Sequence, residues 1–344
     1  MISRKIYSGL VILAIIVGFA AAPLYSGDAD RIGTAAGVQV QVPVGARDIA
    51  LAGADLSNTY GLNAIFWNPA GLPRMDRAAA AQFSYMSIFN DIGVNYLAVA
   101  YNDEDLGAFG FSIKSFGFGD IPFTTNEDMD GASGRVFSPT FVTVGLSYAR
   151  ALTEFVNIGL TAKVINESID RAAASAVAFD IGLQYAGLGG IDGVNFGVAV
   201  KNIGTNMKYE GSALGDNYLD PNGKEYFLNT PSASNQLPTA IELGLSYKAL
   251  MNEDNSVLIA GNFQSNNFEN DAMKFGLEYN YTNFLFARGG YVLGMGTESE
   301  SQLYDFALGA GIKYDIGDIM FAFDYAYRNS QYFDGNNVFT LELH

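Results

Sequence analysis

The chain contains no cysteine, a single histidine and few charged residues. Only 16% of its 344 residues are Asp, Glu, Lys or Arg, against about 25% in a typical soluble domain. The absence of cysteine excludes disulfides and thiolate metal sites. Because His344 is the last residue, zinc sites and histidine-based hydrolases are excluded almost as firmly. We therefore expect neither enzymatic activity nor a cofactor.

Long hydrophobic runs are also missing beyond the first residues. Leu10 to Ala22 form an apolar run that follows Arg4 and Lys5. This run is too short to span a bilayer as a helix, and the arrangement is typical of a cleaved export signal. We predict a signal peptide at residues 1–26, with a retained N-terminal anchor as the alternative. No later stretch reaches the roughly 18 apolar residues of a membrane helix.

The charge balance and the apolar content point in different directions. With 36 acidic against 19 basic residues the net charge is −17, so nucleic-acid binding, which needs a basic surface, is not expected. Yet 49% of the residues are hydrophobic and 13% are aromatic. A β-barrel reconciles these values, because it turns every second residue of each strand toward lipid.

From residue 78 onward apolar residues alternate with polar residues or glycine. In the segment from Ile319 to Arg328, for example, Phe321, Phe323 and Tyr325 alternate with Ala322 and Asp324. Such alternation gives a strand one apolar and one polar face. It predicts an all-β, antiparallel transmembrane barrel of about 14 strands, at approximately 78–90, 91–102, 106–117, 136–151, 153–166, 172–186, 192–203, 238–250, 256–266, 271–282, 284–294, 302–315, 317–329 and 336–344.

Strand length and loop length both favour the membrane over a secreted sandwich or propeller, which stays as the alternative. Crossing the hydrocarbon layer takes roughly 9–11 tilted residues, whereas ordinary strands average about 5–6. The two longest connections, about 118–135 and 204–237, follow the third and seventh predicted strands. Both therefore lie at the same end of the barrel, as the long outer loops of bacterial barrels do. This predicts the bacterial outer membrane, with its lipid as a partner.

Residues 27–77 do not alternate and precede the barrel, which takes residues 78–344. The stretch "VGARDIALAGADLSNTYGLNAIFWNPAGLPRM" is apolar, rich in small residues and punctuated by Gly, Asn and Pro. Asn68 before Pro69 has the form of a helix N-cap with proline at the first helical position. Trp67 supplies bulk, so we predict short helical turns packed in a confined place.

These residues carry a family resemblance. Gly45-Ala46-Arg47, the run from Ala50 to Ala54 and "NAIFWNPAGL" resemble the start of the PorV/PorQ family, which belongs with the barrels related to the fatty-acid transporter FadL. "VAFDIGLQY" (Val177 to Tyr185) continues the match. The resemblance implies fourteen strands and an N-terminal hatch in the lumen, with a turn that merely closes one barrel end as the alternative. It assigns the hatch motif to Gly45, Arg47, Trp67, Asn68, Pro69, Ala70 and Gly71.

Two further groups of charged residues stand out. Lys163, Glu242, Lys248 and Glu278 fall on the inward face of their strands, where we expect a lumen network of both signs, because buried charges need partners. Asn126, Asp128, Asp130 and Gly131 match the first positions of a calcium loop, but the twelfth position is Phe137 instead of glutamate. An acidic surface loop is therefore the stronger interpretation, with a calcium site as the weaker one.

The resemblance implies two functions of different classes. As a PorV-like protein, the chain would serve a type IX-like secretion machinery and bind exported proteins or machinery subunits with its outer loops. As a FadL-like protein, it would take up a hydrophobic small molecule, released by movement of the hatch around Asn68 and Pro69. Because one fold hosts several functions, both stay open, with the secretion role narrowly favoured.

Overall fold

The computed structural model describes residues 31–89, 92–252, 254–295 and 302–344, and in these ranges fourteen long antiparallel strands form one closed barrel. The fold class predicted from the alternation is confirmed. The predicted signal peptide, residues 1–26, lies outside the described residues. The strands are β1 (Ala79–Ile88), β2 (Ile92–Asp103), β3 (Gly107–Gly117), β4 (Thr140–Ala151), β5 (Val156–Ile169), β6 (Ala172–Ala186), β7 (Val194–Gly204), β8 (Ala240–Leu250), β9 (Asn255–Asn266), β10 (Asp271–Tyr281), β11 (Leu285–Met295), β12 (Phe306–Ile316), β13 (Ile319–Arg328) and β14 (Asn336–Leu343).

Consecutive strands pair throughout, and β1 pairs with β14 to close the barrel. Closure removes the unpaired sheet edges that lipid does not tolerate. Large apolar side chains on the outward face stay exposed along the strands, such as Ile319, Phe321 and Phe323 on β13. Their neighbours Met320 and Asp324 are buried inside. The outward face is therefore a lipid-facing surface, and the protein is a barrel of the bacterial outer membrane.

The two barrel ends differ as expected. At one end the connections 104–106, 152–155, 282–284 and 317–318 span two to four residues and the longest, 187–193, spans only seven, which makes this the periplasmic end. The outer end carries the long loops 118–139 and 205–239, which contain three small antiparallel pairs: Ile121–Pro122 with Val136–Phe137, Met207–Lys208 with Ser234–Asn235, and Gly215–Leu219 with Glu225–Asn229. In the described ranges no helix is long and apolar enough to cross a membrane.

Residues 31–77, here called the hatch segment, run through the lumen between the two ends. At the outer end the Ala36 N–H donates to the Gln236 carbonyl, and at the periplasmic end the Asn102 side chain donates to the Pro73 carbonyl. Between these points the segment forms two α-helices, α1 (Ala46–Ala50) and α2 (Ala64–Trp67), and three 3₁₀ turns (Val38–Val40, Gly61–Asn63 and Pro69–Gly71). Two more 3₁₀ turns, Leu188–Gly190 and Ser212–Leu214, lie in connections.

The lipid-facing assignment predicts depth-dependent costs for an added charge. Leu277 lies near the middle of β10 with its side chain outward and exposed, whereas Leu285 starts β11 at the periplasmic end. Leu277→Arg should lower the free energy of unfolding in lipid vesicles by about 2–4 kcal/mol, and the matched control Leu285→Arg by about 0–1 kcal/mol. Urea titration measures both values. Equal costs at the two positions would contradict a membrane-spanning barrel.

Candidate functional site: the hatch and the lumen wall

Wall glycines let the main chain of the hatch segment lie directly against the barrel. A Cβ atom on Gly159 or Gly182 would overlap the turn at Asn68 to Ala70. Four other inward glycines likewise face the hatch main chain between Leu51 and Ser57 (Gly197, Gly244, Gly276 and Gly290), while Gly110 and Gly309 leave room for hatch side chains. The lumen is therefore filled by close approach of two backbones, which only glycine permits.

The predicted cap at Asn68 has the expected geometry and a further role. Its side-chain oxygen accepts from the Ala70 N–H at 3.2 Å, and Pro69 opens the following 3₁₀ turn. Its side-chain amide donates to the Leu56 carbonyl within the hatch segment at 3.1 Å, and to the wall carbonyls of Leu183 and Val198 at 3.2 and 3.5 Å. These two residues are paired partners on β6 and β7. Asn68 is fully buried and thus holds the hatch segment at the junction of β6 and β7. This junction, at Leu183 and Val198, is here called the seam.

The barrel wall is irregular close to this seam. Asp180 of β6 lies opposite two residues of β7, Lys201 and Asn202, which is a β-bulge. Asn202 adopts a left-handed conformation, φ 60°, and its N–H donates to the Asp180 carboxylate at 2.7 Å. Its side-chain amide donates to the carbonyl of Pro238 in the outer loop, at 2.9 Å. The bulge therefore links the seam to the loop that covers the outer end.

Arg47 of α1 is the centre of a buried ion-pair cluster. It contacts Asp55 at 2.6 Å, Asp48 at 3.3 Å and Glu278 of β10 at 3.5 Å. Glu278 also pairs with Arg288 of β11 at 2.6 Å, and Arg288 contacts Asp324 of β13. Gly45, at φ 83°, precedes α1. This cluster attaches the hatch segment to the wall opposite the seam.

A second buried cluster surrounds the aromatic pair Phe66 and Trp67. Glu242 binds Lys201 at 2.9 Å and Lys274 at 3.7 Å, and both ammonium groups lie within 6 Å of the Trp67 ring centre. The indole N–H donates to the Val44 carbonyl at 3.0 Å. Trp67 thus packs inside the hatch segment, as expected from its bulk.

The four residues of the predicted lumen network do not form one network in the structure. Lys163 pairs with Asp180 at 2.7 Å, Glu242 belongs to the cluster beneath Trp67, and Glu278 joins the Arg47 cluster. Lys248 is exposed near the periplasmic end, and among the described residues it has no ion pair within 4.0 Å. Sequence reasoning missed Lys201, although it shares the inward parity of Gly197, and missed Asp55, whose irregular segment has no periodicity.

Two cavities between hatch and wall are small. One, of about 30 Å³, is lined by Phe66, Lys114, Thr143 and Lys163 among others. The other, of about 20 Å³, lies near Arg47, Arg288 and His344. Each has room for about one water molecule. A solute can therefore occupy neither of them without movement of the protein.

The acidic loop residues lie far from this site, in the outer connection 118–139. The Asp128 carboxylate accepts the N–H groups of Ser133 and Ala132, at 2.9 and 2.7 Å. These hydrogen bonds, first that of Ser133, lower the pKa of Asp128. Within the described ranges no three His, Cys, Asp or Glu residues form a group that could hold a metal ion. The calcium site at Asn126, Asp128 and Asp130 stays a prediction.

Neither a family model nor a curated protein matches the chain. Among solved structures it is similar to the deltaS2S3 mutant of the monoaromatic hydrocarbon channel TodX of Pseudomonas putida (13% identity, TM-score 0.53, covering 88% of this chain and 97% of that one). It is also similar to the toluene transporter TbuX of Ralstonia pickettii (14%, 0.50, 88% and 97%) and to a FadL homologue of Pseudomonas aeruginosa (12%, 0.49, 88% and 98%). The chain therefore shares the barrel fold of TodX and TbuX, while the PorV/PorQ resemblance gains no support.

The Arg47 cluster predicts a large cost for removing its central cation. Arg47→Met leaves three buried carboxylates short of a partner and should lower the free energy of unfolding by about 3–5 kcal/mol. Arg77→Met breaks an exposed 3.5 Å pair with Asp315 and should cost about 0–1 kcal/mol. Urea unfolding in lipid vesicles compares the two variants. A similar small cost for both would mean that the cluster does not hold the hatch segment.

Proposed function

We propose that the chain is an outer-membrane channel for small hydrophobic molecules that the hatch segment closes at rest. The observation that carries this proposal is the position of Asn68, which holds the hatch segment at the β6–β7 seam, next to the bulge in the wall. The fold shared with a hydrocarbon channel and a toluene transporter supports it. No catalytic step and no cofactor belong to the proposal.

The charges in the lumen favour an exit through the wall over an exit along the barrel axis. On the periplasmic side of Trp67, an apolar solute would have to pass the buried Arg47 cluster, whose desolvated charges need each other as partners. The seam at Leu183 and Val198 lies next to lipid, because Val177, Phe179 and Ile181 on the outward face of β6 are exposed to it. Withdrawal of the Asn68 amide would free the seam and connect the lumen with the membrane.

The secretion role is the second candidate, and one feature favours it. The outer hairpin Gly215–Leu219 with Glu225–Asn229 exposes Leu219, Phe227 and Leu228. Exposed apolar side chains grouped on a loop are typical of a protein-binding surface. Pull-down from solubilised membranes tests this candidate, and recovery of exported proteins or secretion-machinery subunits would favour the PorV-like role over the channel.

An uptake experiment tests the channel directly. Cells that carry the protein should take up toluene, used as a probe, faster than cells from which the gene is deleted. Their uptake of a hydrophilic sugar should not change, because a closed lumen offers no aqueous route. Equal toluene uptake in both strains would refute the channel.

A reversible crosslink tests whether the hatch segment moves next to Asn68. Since the native chain has no cysteine, Ser57→Cys with Ser246→Cys creates the single possible disulfide, between buried hatch and β8 side chains whose hydroxyl groups lie 2.8 Å apart next to Leu56. The oxidised protein should take up toluene roughly tenfold more slowly than the same protein after reduction. The reduced state serves as the control for the two substitutions, and Asn68 is kept in both states. Equal uptake in both states would show that transport needs no movement of this part of the hatch.

A further inference from the structure

Lys114 of β3 is a buried lysine without an ion pair. It is 4% exposed, and among the described residues no carboxylate oxygen lies within 4.0 Å of its ammonium group. The group donates to the carbonyls of Val42 and Val40 in the hatch segment, at 2.8 and 3.4 Å, and lies 4.8 Å from the centre of the Phe66 ring. Carbonyl dipoles and an aromatic face stabilise a cation, but they do not cancel its charge.

The charges around Lys114 do not supply a counter-ion either. The charged groups that interact with it across the lumen are Lys163, Lys201 and Asp180. Asp180 already binds Lys163 at 2.7 Å, and Lys201 has its own partner in Glu242 at 2.9 Å. Three ammonium groups thus share two carboxylates, and the surplus positive charge belongs to Lys114. A buried charge without a partner is costly, so this part of the lumen favours an added negative charge.

The cavity of about 30 Å³ adjoins this ammonium group. Thr143 of β4 is the strand partner of Lys114, so the two side chains project into the lumen next to each other, and both line the cavity. Two residues farther along β4, Gly145 lines it too, and a Cβ there would lie 2.7 Å from the Ser112 hydroxyl oxygen. The missing side chain at Gly145 therefore keeps this space open, and residues of the hatch segment close its other side.

The Thr143 hydroxyl is a second group on the cavity wall that lacks a partner. Thr143 is 7% exposed, and its hydroxyl oxygen makes no hydrogen bond within the protein, whereas buried polar groups nearly always make one. Lys114 uses two of its three N–H groups for the hatch carbonyls, which leaves one donor. An ammonium donor and a hydroxyl donor side by side are the groups that bind an anion in charge-assisted hydrogen bonds.

We propose that a monatomic anion, chloride in ordinary media, binds in this cavity between Lys114 and Thr143. The cavity has room for about one water molecule, and a monatomic anion needs little more, whereas a carboxylate on a hydrocarbon chain does not fit. A water molecule would complete the hydrogen bonds of Thr143 but would leave the charge of Lys114 uncompensated. The inference goes beyond the proposed channel and does not depend on it, because it concerns the charge balance of the closed lumen.

The bound anion acts on the hatch segment through Lys114. The same ammonium group donates to the carbonyls of Val40 and Val42, so an anion that neutralises it holds these hatch residues against β3. A ligand that binds only the folded state stabilises that state by mass action. Chloride should therefore stabilise the protein with its hatch in place, and an anion too large for the cavity should not.

Crystals grown with sodium bromide in place of sodium chloride test the position of the site. Bromide has the chemistry of chloride and is located by its anomalous scattering, so a peak should lie in contact with the Lys114 ammonium group and the Thr143 hydroxyl. Lys114→Met keeps the length of the side chain and should lose the peak. The matched control Lys313→Met breaks the 2.7 Å pair with Asp76 at the periplasmic end and should keep it. No peak in the native protein, or a peak that persists in Lys114→Met, would overturn the site.

Urea unfolding in lipid vesicles tests binding in solution, with sodium chloride against sodium gluconate at equal ionic strength. The unfolding midpoint of the native protein should rise with the chloride concentration and stay constant in gluconate, which is too large for the cavity. Thr143→Val keeps the shape of the side chain and removes one donor to the anion, so the same rise should need roughly tenfold more chloride. This variant keeps Lys114, so the test holds even where Lys114→Met does not fold. Equal responses of the native protein to the two salts, or an undiminished chloride response in Thr143→Val, would contradict the proposal.

Discussion

Close contact between the hatch main chain and the wall glycines is the constraint on which the rest of the structure depends. A barrel with fourteen strands encloses more space than its own inward side chains fill, and polar groups buried there need hydrogen-bond partners. Gly159 and Gly182 bring the wall backbone close to the Asn-Pro-Ala turn. The hatch segment can then fill the lumen and supply hydrogen-bond partners to its buried polar groups. In this arrangement the Asn68 side chain donates to carbonyls of both seam strands, β6 and β7.

The two sides of the lumen hold the hatch segment by different forces. On β10, β11 and β13 the attachment is a buried ion-pair cluster around Arg47, which is costly to break because each charge would be left without a partner. On β6 and β7 the attachment consists of hydrogen bonds from Asn68 to the seam carbonyls and from the Gln184 side chain of β6 to the carbonyls of Leu56 and Thr59, and a neutral hydrogen bond of this kind is worth only about 0.5–1.5 kcal/mol. A local movement would therefore start at the seam.

Much of the barrel was predictable because alternation is a local property. The pattern of outward Phe321 and Phe323 and inward Asp324 is visible in the sequence, and so is the cap at Asn68. The predicted strand at 136–151 began too early, because Val136 and Phe137 pair with Ile121 and Pro122 in a loop hairpin. The bulge at Asn202 leaves the alternation nearly intact, and the partners of Arg47 lie far apart in sequence. Neither feature has a local signal.

Hydrogen exchange of the hatch amides tests the central claim most directly. In lipid vesicles the amides between Gly61 and Leu72 should exchange slowly, because they are buried among wall residues. Addition of toluene should accelerate their exchange while the amides of β10 and β11 stay protected. Unchanged protection of this segment during measured toluene uptake would contradict a hatch that opens at the seam.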